Sequence, residues 1–367
     1  MKFDILSEYC FVNMGQSPAS ETYNNNADGL PFYQGNADFG EIHPQTRIWC
    51  SAPVKIANKG DLLISVRAPI GALNIATEQC CIGRGLAALT PKLDKCRIKY
   101  IYFAIQSQIN FLIANGTGST FKAVNKNTLE NLLIPVSSLN KQDEIVNIFE
   151  KLNNIINKRK EQLLLLDNAV KSRFIEMFGS LGSDKFGWGL MKLGNCCEIN
   201  PSKINDNRLK ENLYVSFIPM SCVTDDGKIT EMETKTYDEV KSGFTYFKEG
   251  DVLFAKITPC MENGKGAIAI GLYNKVGFGS TEFHVLRPIK EKCNSYWLYM
   301  VTMFSEFRLI AESNMTGSAG QKRVPVSFLE NFKISVPPIE LQNEFADFFK
   351  QTDKSKFGIQ KSLNYLL

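Results

Sequence analysis

The sequence predicts an α+β protein: two duplicated mixed α/β domains separated by two long antiparallel helices that form a coiled-coil spacer. Three observations carry the prediction. The chain has 367 residues, about twice the ~100–150 residues of a typical domain. Its second half repeats the first in the same order, and each half ends in a long stretch with apolar residues at helical spacing.

The repeat is read directly. Leu129-Glu130-Asn131-Leu132-Leu133-Ile134-Pro135-Val136 aligns with Leu329-Glu330-Asn331-Phe332-Lys333-Ile334-Ser335-Val336 at an offset of 200, which also carries Gln142, Glu144 and Phe149 onto Gln342, Glu344 and Phe349. Asn115, Thr117, Gly118 and Ser119 fall on Asn314, Thr316, Gly317 and Ser318 at 199; Gly60-Asp61 falls on Gly250-Asp251 at 190; Leu6 to Asn13 falls on Leu193 to Asn200 at 187. The register drifts by loop-sized steps, as expected of one duplicated unit.

In the first half, Asp61 to Val66, Leu86 to Leu89 and Leu132 to Ile134 are short apolar runs between Gly and Pro, and predict strands. Ile98, Ile101, Ile105, Ile109 and Leu112 recur every three or four residues, predicting one amphipathic helix from Arg97 to Ala114; its counterpart runs from Tyr296 to Glu312. From Lys141 to Phe178 there is no Gly or Pro, and Phe149, Ile156, Leu163, Val170 and Met177 recur at seven. Leu152 and Leu166 complete a partial a/d seam that Arg159 and Arg173 interrupt. At about 1.5 Å per residue, ~38 residues span roughly 57 Å, longer than one domain needs. The mate begins at Ile339, with Leu341, Phe345, Phe348, Ile359, Leu363 and Leu366 on one face. The expected divisions are 1–140 and 181–338 for the domains, and 141–180 and 339–367 for the helices.

Composition narrows the function. Hydrophobic residues make up 44% and charged residues 22%, which is globular usage. The net charge of +4 is too mild to announce a nucleic-acid partner. Only His43 and His284 are present, so a zinc site or histidine triad is not expected. The ten cysteines include the neighbours Cys80-Cys81 and Cys196-Cys197 but no Cys-x-x-Cys, the pattern of buried apolar thiols in a reducing compartment. Met1 to Glu8 lacks a signal-peptide pattern and no apolar run reaches ~18–20 residues, so a cytoplasmic protein is expected. Catalytic signatures fail: Asn200-Pro201-Ser202 and Val336-Pro337-Pro338-Ile339 are not Asn/Asp-Pro-Pro-aromatic, Asn263-Gly264-Lys265-Gly266 is not a phosphate loop, and no Pro-Asp precedes Glu233-Thr234-Lys235.

Duplicated α+β domains, each followed by a long helix, resemble the specificity subunit of type I restriction-modification systems. In the first half the likeness is carried by Asn13 to Pro18, Gly29 to Gly40, Gly60 to Gly71 and Ile82 to Ala88; in the second, more loosely, by Glu249 to Lys256 and Thr316-Gly317-Ser318. The resemblance implies two target recognition domains that each read one part of a split double-stranded DNA target, with the helices setting the gap. It implies two modification subunits as partners, holding S-adenosylmethionine and methylating adenine N6, and admits a restriction subunit with ATP and Mg. This chain itself would be non-catalytic, with no cofactor and no metal. A fused restriction-methylation enzyme and a stand-alone DNA-binding regulator are the alternative readings.

Readout needs polar and basic side chains on loops that can enter a groove. Gln16, Ser17, Tyr33, Gln34 and Asn36 are base-edge candidates, and Arg67, Arg84, Lys122 and Lys126 phosphate or guanine candidates. The second half offers Lys256, Thr258, Lys265, Ser318, Gln321, Lys322 and Arg323. A basic residue follows Thr-Gly-Ser in both halves. Lys92, Lys95, Arg97 and Lys99 are expected on a solvated surface, and the two histidines in local hydrogen bonds. The run Leu163, Leu164, Leu165, Leu166 is wider than a two-helix seam requires, which marks Leu163, Leu164 and Leu165 as partner-docking candidates.

Overall fold

A computed structural model describes residues 2–117, 122–203, 206, 208–318 and 320–366. The chain divides into two units, 1–157 and 158–367, so the boundary falls inside a single helix, Leu139–Phe178.

In the first unit the strand Cys10–Met14 pairs with Leu86–Pro91, which pairs with Leu62–Ser65, which pairs with Leu73–Ile75, all antiparallel. A second sheet runs in the order Tyr23–Asn24, Trp49–Cys50, Leu30–Tyr33, Cys80–Ile82, Ile56–Ala57, with a parallel pairing of Leu30–Tyr33 and Cys80–Ile82. Lys2–Ile5 pairs with Leu133–Val136. Helices α1 (Ile98–Gln106), α2 (Ile109–Ala114) and α3 (Lys126–Glu130) precede the first 19 residues of α4 (Leu139–Phe178). Leu6, Leu62, Ile64, Leu89, Ile101 and Leu129 share one apolar cluster.

The second unit repeats the plan. The order Cys197–Ile199, Phe283–Pro288, Val252–Ala255, Gly266–Ile268 reproduces the first four-stranded sheet. A second sheet again holds one parallel pair, Tyr214–Ile218 with Val276–Gly279, and Leu190–Lys192 pairs with Lys333–Ser335. Its helices are α5 (Tyr237–Val240), α6 (Ser295–Met303), α7 (Ser305–Ser313), α8 (Val326–Asn331) and α9 (Ile339–Leu366).

The duplication extends to single hydrogen bonds. Gln142 is buried at the start of α4: its Nε2 donates to the carbonyls of Lys95 and Ser137, and its Oε1 accepts from the Arg97 amide. Gln342 does the same at the start of α9 with Lys292, Pro337 and Asn294. Gln142 bolts α4 to the loop that launches α1 and Gln342 bolts α9 to the loop that launches α6, and because each is buried its replacement would strand three backbone groups.

The two helices expected as continuous are each broken. Between α1 and α2, the Ser107 hydroxyl donates to the Ala104 carbonyl and Gln108 leaves helical geometry. Between α6 and α7, Phe304 is extended (φ −65°, ψ 138°), and its ring packs 4.9 Å from that of Phe174. Apolar periodicity continues across both breaks, so the period alone hides them.

The heptad reading of α4 corresponds to its burial from Leu152 onward: Leu152, Ile156, Arg159, Leu163, Leu166, Val170, Arg173 and Met177 are all less exposed than their neighbours on the outer face, whereas Phe149, the first of the repeat, is 43% exposed and stacks on Phe103. The helix stops where Gly179, at φ +79°, closes a bond from its amide to the Ile175 carbonyl. Within the second unit, α9 runs antiparallel to the end of α4. Arg173 pairs with Glu344 at 2.9 Å and Lys356 with Asp167 at 2.5 Å, while Phe174 and Phe178 both meet Phe345. Eight of the ten cysteines are buried and all ten are free thiols.

Candidate nucleic-acid interface

In the first unit, main-chain hydrogen bonds string five loops into one edge. The Gln16 amide donates to the Ile82 carbonyl, Gly83 to Tyr33, Val66 to Gly85, and Val124 to Val66, while the Arg84 amide donates to Ser17 Oγ at 3.2 Å. Arg67 forms a bridge with Ala123, next to Lys122. Glycine makes the approach possible: a Cβ on Gly15 would lie 2.2 Å from the Gly83 carbonyl oxygen, and one on Gly85 would lie 2.3 Å from that of Gln34. Gln16, Ser17, Gln34, Arg67, Arg84 and Lys122 are thereby gathered along one margin.

Arg67, Arg84 and Lys122 are exposed, and their side chains have no hydrogen-bond or ion-pair partner among the described residues. Among the described residues neither arginine side chain ties loops together through carbonyls. Gln34 is exposed; its amide and that of Gly35 donate to Asp38, which also holds Arg47. Arg47 therefore stands beside Gln34, an exposed cation that the sequence reading missed; no local motif marks it, because its position follows from the buried Asp38. Asn36 is half-buried at the start of the same turn.

Two assignments need correction. Tyr33 is only 1% exposed and its hydroxyl bonds Thr46 at 2.8 Å, so it is a core residue and not a base-edge reader. Lys126 lies on α3 and pairs with Glu130 at 3.4 Å, one helical turn on. The Lys92, Lys95, Arg97 and Lys99 cluster is tied internally, to the Ser7 carbonyl, Glu8, Asp143 and Glu150 in turn. His43 bonds the Ile75 carbonyl, and His284 bonds Val324 and Asn200.

The second unit builds the same edge from different side chains. Val324 donates to the Lys256 carbonyl and Lys256 to that of Glu282, so Lys256 stands where Val66 does and Glu282 where Gly85 does. Arg323 takes the place of Ala123, bridging Ile257. Its Nε and Nη2 donate to the two Glu282 oxygens at 2.9 and 2.8 Å, and its Nη1 to the Gln321 carbonyl. Arg323 is thus a clasp between loop and strand, not the free cation expected. Hydrogen bonding from Arg323 holds the Glu282 carboxyl below its usual range, and burial lowers the Lys256 ammonium. Thr258 donates to Glu262 and Lys265 to the Met220 carbonyl. Ser318, Gln321 and Lys322 are exposed. Gly118 and Ser119, the first copy of the Thr-Gly-Ser loop, lie outside the described residues. On α4, Leu163 is half-buried in the seam, whereas Leu164 and Leu165 are 61% and 58% exposed.

Comparison with known proteins decides the family. The type I restriction modification DNA specificity domain matches the chain twice, over residues 5–165 and 186–366. The chain belongs to this family. A type I restriction enzyme EcoEI specificity subunit from Escherichia coli is 43% identical over 155 residues, 41% of this chain and 25% of that subunit. The MjaIX specificity subunit from Methanocaldococcus jannaschii is 22% identical over 342 residues, 85% of this chain and 75% of that one. A solved S subunit of a type I restriction-modification system from M. genitalium aligns over 100% of this chain and 92% of its own, with a TM-score of 0.56 and 12% identity, a likeness of fold. The chain matches about a quarter of the length of the EcoEI relative. No helix among the described residues is long and apolar enough to cross a membrane.

Proposed function

We propose that this chain is a non-catalytic DNA-recognition subunit that reads a bipartite target, one part with each loop edge, and positions adenine-N6 methyltransferase subunits on it. The observation that carries the reading is the duplicated edge, in which the first copy aligns Gln16, Ser17, Gln34, Arg67, Arg84 and Lys122 with its three cations unpaired among the described residues. Unpaired cations on a glycine-tight loop suit phosphate and guanine contacts, and the neighbouring amides suit base edges. In the second copy Ser318, Gln321 and Lys322 occupy the exposed positions.

Two modification subunits dock on the long helices, where Leu164 and Leu165 offer exposed apolar surface. They supply S-adenosylmethionine and the pocket that receives the flipped adenine; a restriction subunit, where present, supplies ATP and Mg chemistry. The complex works in the cytoplasm. Single-molecule methylome sequencing of a host with and without this chain tests the reading. A split adenine-methylation motif that appears only with the chain is expected, and Arg84→Gln together with Gln34→Ala should weaken methylation at that motif. A methylome that does not respond to the chain refutes it.

A further inference from the structure

Beside its polar edge the first unit holds a pair of charges that the duplicated frame does not need. Asp38 is 7% exposed and ends the turn Asn36–Asp38. Its Oδ2 accepts from the amides of Gln34 and Gly35 at 2.7 and 3.3 Å, and its Oδ1 accepts from Nε and Nη2 of Arg47 at 3.1 and 2.5 Å. One carboxylate thus fixes the peptide of an edge residue with one oxygen and a guanidinium with the other. The matching turn of the second unit, Met220–Cys222, keeps the main-chain bond and not the acid: Thr230 donates to the Cys222 carbonyl as Gln45 does to that of Asp38. The fold therefore closes this turn without a carboxylate, and burying one is costly unless it is paired. What Asp38 adds is its hold on Arg47.

Arg47 is pinned on both sides: the Thr46 and Tyr33 hydroxyls share a bond at 2.8 Å, and the Ile48 carbonyl accepts from the Phe32 amide. Its side chain is nonetheless 58% exposed. With Nε and Nη2 both bonded to Asp38 the guanidinium plane is set, and Nη1 has no partner among the described residues. Its outer edge, Nη1 with the second hydrogen of Nη2, is a fixed two-donor fork, the match for the O6 and N7 acceptors that guanine shows in the major groove. Phosphate is served as well by a mobile cation. Ordering the arginine beforehand gains most where plane and position must meet one base edge. The fork is also in register with the polar edge. A Cβ on Gly83 would lie 3.2 Å from the Gln34 Cα and one on Gly85 2.3 Å from the Gln34 carbonyl oxygen, so Arg84, Gln34 and Arg47 follow one another along the same margin.

We propose that Arg47, oriented by Asp38, reads one guanine in the part of the target that the first unit contacts, with Asp38 as a positioning residue; the inference rests on the DNA-recognition role proposed above. Methylome sequencing of a host carrying the assembled complex, with the parent chain and with each variant, tests it. In Arg47→Ala one G·C position of one half-site should become degenerate, its preference falling about tenfold to a hundredfold, while the other half-site and the gap stay as they are. Asp38→Asn keeps an oxygen for the Gln34 and Gly35 amides but releases the guanidinium, so the same position should relax, by less. Arg47→Ala combined with Asp38→Asn leaves no buried charge unpaired and should relax that position as fully as Arg47→Ala, so early melting of the single variant does not obscure the result. An unchanged motif in the folded variants overturns the proposal. So does methylation that weakens evenly at every site with no position relaxed, the mark of a lost phosphate contact. A parent chain without a motif overturns DNA recognition and this inference together; a parent motif indifferent to Arg47 overturns this inference alone.

Discussion

Replacing Arg67, Arg84 and Lys122 together by glutamine isolates the electrostatic part of DNA binding. Each of the three is exposed and unpaired among the described residues, so each loss should remove one phosphate contact without costing an internal bond. A cation that neutralises one phosphate contributes about 0.9 to the slope of log K against log salt, so the triple variant should be shallower by about 2.7. Between about 50 and 200 mM salt, binding by the parent should therefore fall about 40-fold further than binding by the variant. The assay is fluorescence anisotropy of a random-sequence duplex titrated with the assembled complex at several salt concentrations. Arg323→Gln is the internal control: its guanidinium is committed to Glu282 and the Gln321 carbonyl, so it should lower the melting temperature and leave the slope unchanged. An unchanged slope in the triple variant, or a slope reduced by Arg323→Gln alone, refutes the assignment of free and committed cations.

Three further outcomes are expected. Phe174→Ala, at a ring 1% exposed between Phe178, Phe304 and Phe345, should cost about 3–5 kcal/mol in urea unfolding of the second unit. Burial depresses the His284 pKa, with Lys256 acting in the same sense and Glu282 against it; the unfolded chain then binds the extra proton, so stability is complete above about pH 6.5 and falls below it by at most about 1.4 kcal/mol per pH unit, a slope that His284→Gln should flatten in urea midpoints taken from pH 7 to 5. Four residues inserted into α4 lengthen it by about 6 Å, close to two base pairs at ~3.4 Å each, and methylome sequencing should show the same half-sites with a wider gap.

Much of the frame was legible because duplication and heptad spacing are patterns of sequence order. From Leu152 onward the a/d positions of α4 are its less exposed ones, and Gln142 and Gln342 stood out as matched residues before either had a role. What escaped depended on contacts distant in sequence. The breaks at Ser107 and Phe304 interrupt no apolar period; Phe304 leaves the helix to reach Phe174, 130 positions away. Tyr33 looked like a loop reader because Gly and polar residues flank it, yet it is the last residue of a central strand. Free and clasped arginines cannot be told apart without their partners: Arg84 and Arg323 both sit near glycine, and only the placement of Glu282 separates them.

That separation bears on how one fold could read two different half-sites. The bonds that set the frame recur: Gln142 and Gln342 hold the long helices, and Val66 and Lys256 make equivalent main-chain bonds, to Gly85 and Val124 in the first unit and to Glu282 and Val324 in the second. At the edge the side chains diverge. Arg67 becomes Ile257, Gly85 becomes Glu282 and Ala123 becomes Arg323. A loop closed by the Arg323–Glu282 clasp is stiffer and less cationic than the open edge bearing Arg67, Arg84 and Lys122. Because the backbone scaffold is repeated, exchanging side chains along the edge alters what is presented without moving where it is presented. Specificity can then change at a few positions while the long helices and their glutamine bolts stay as they are, an arrangement suited to a subunit whose target must vary and whose geometry must not.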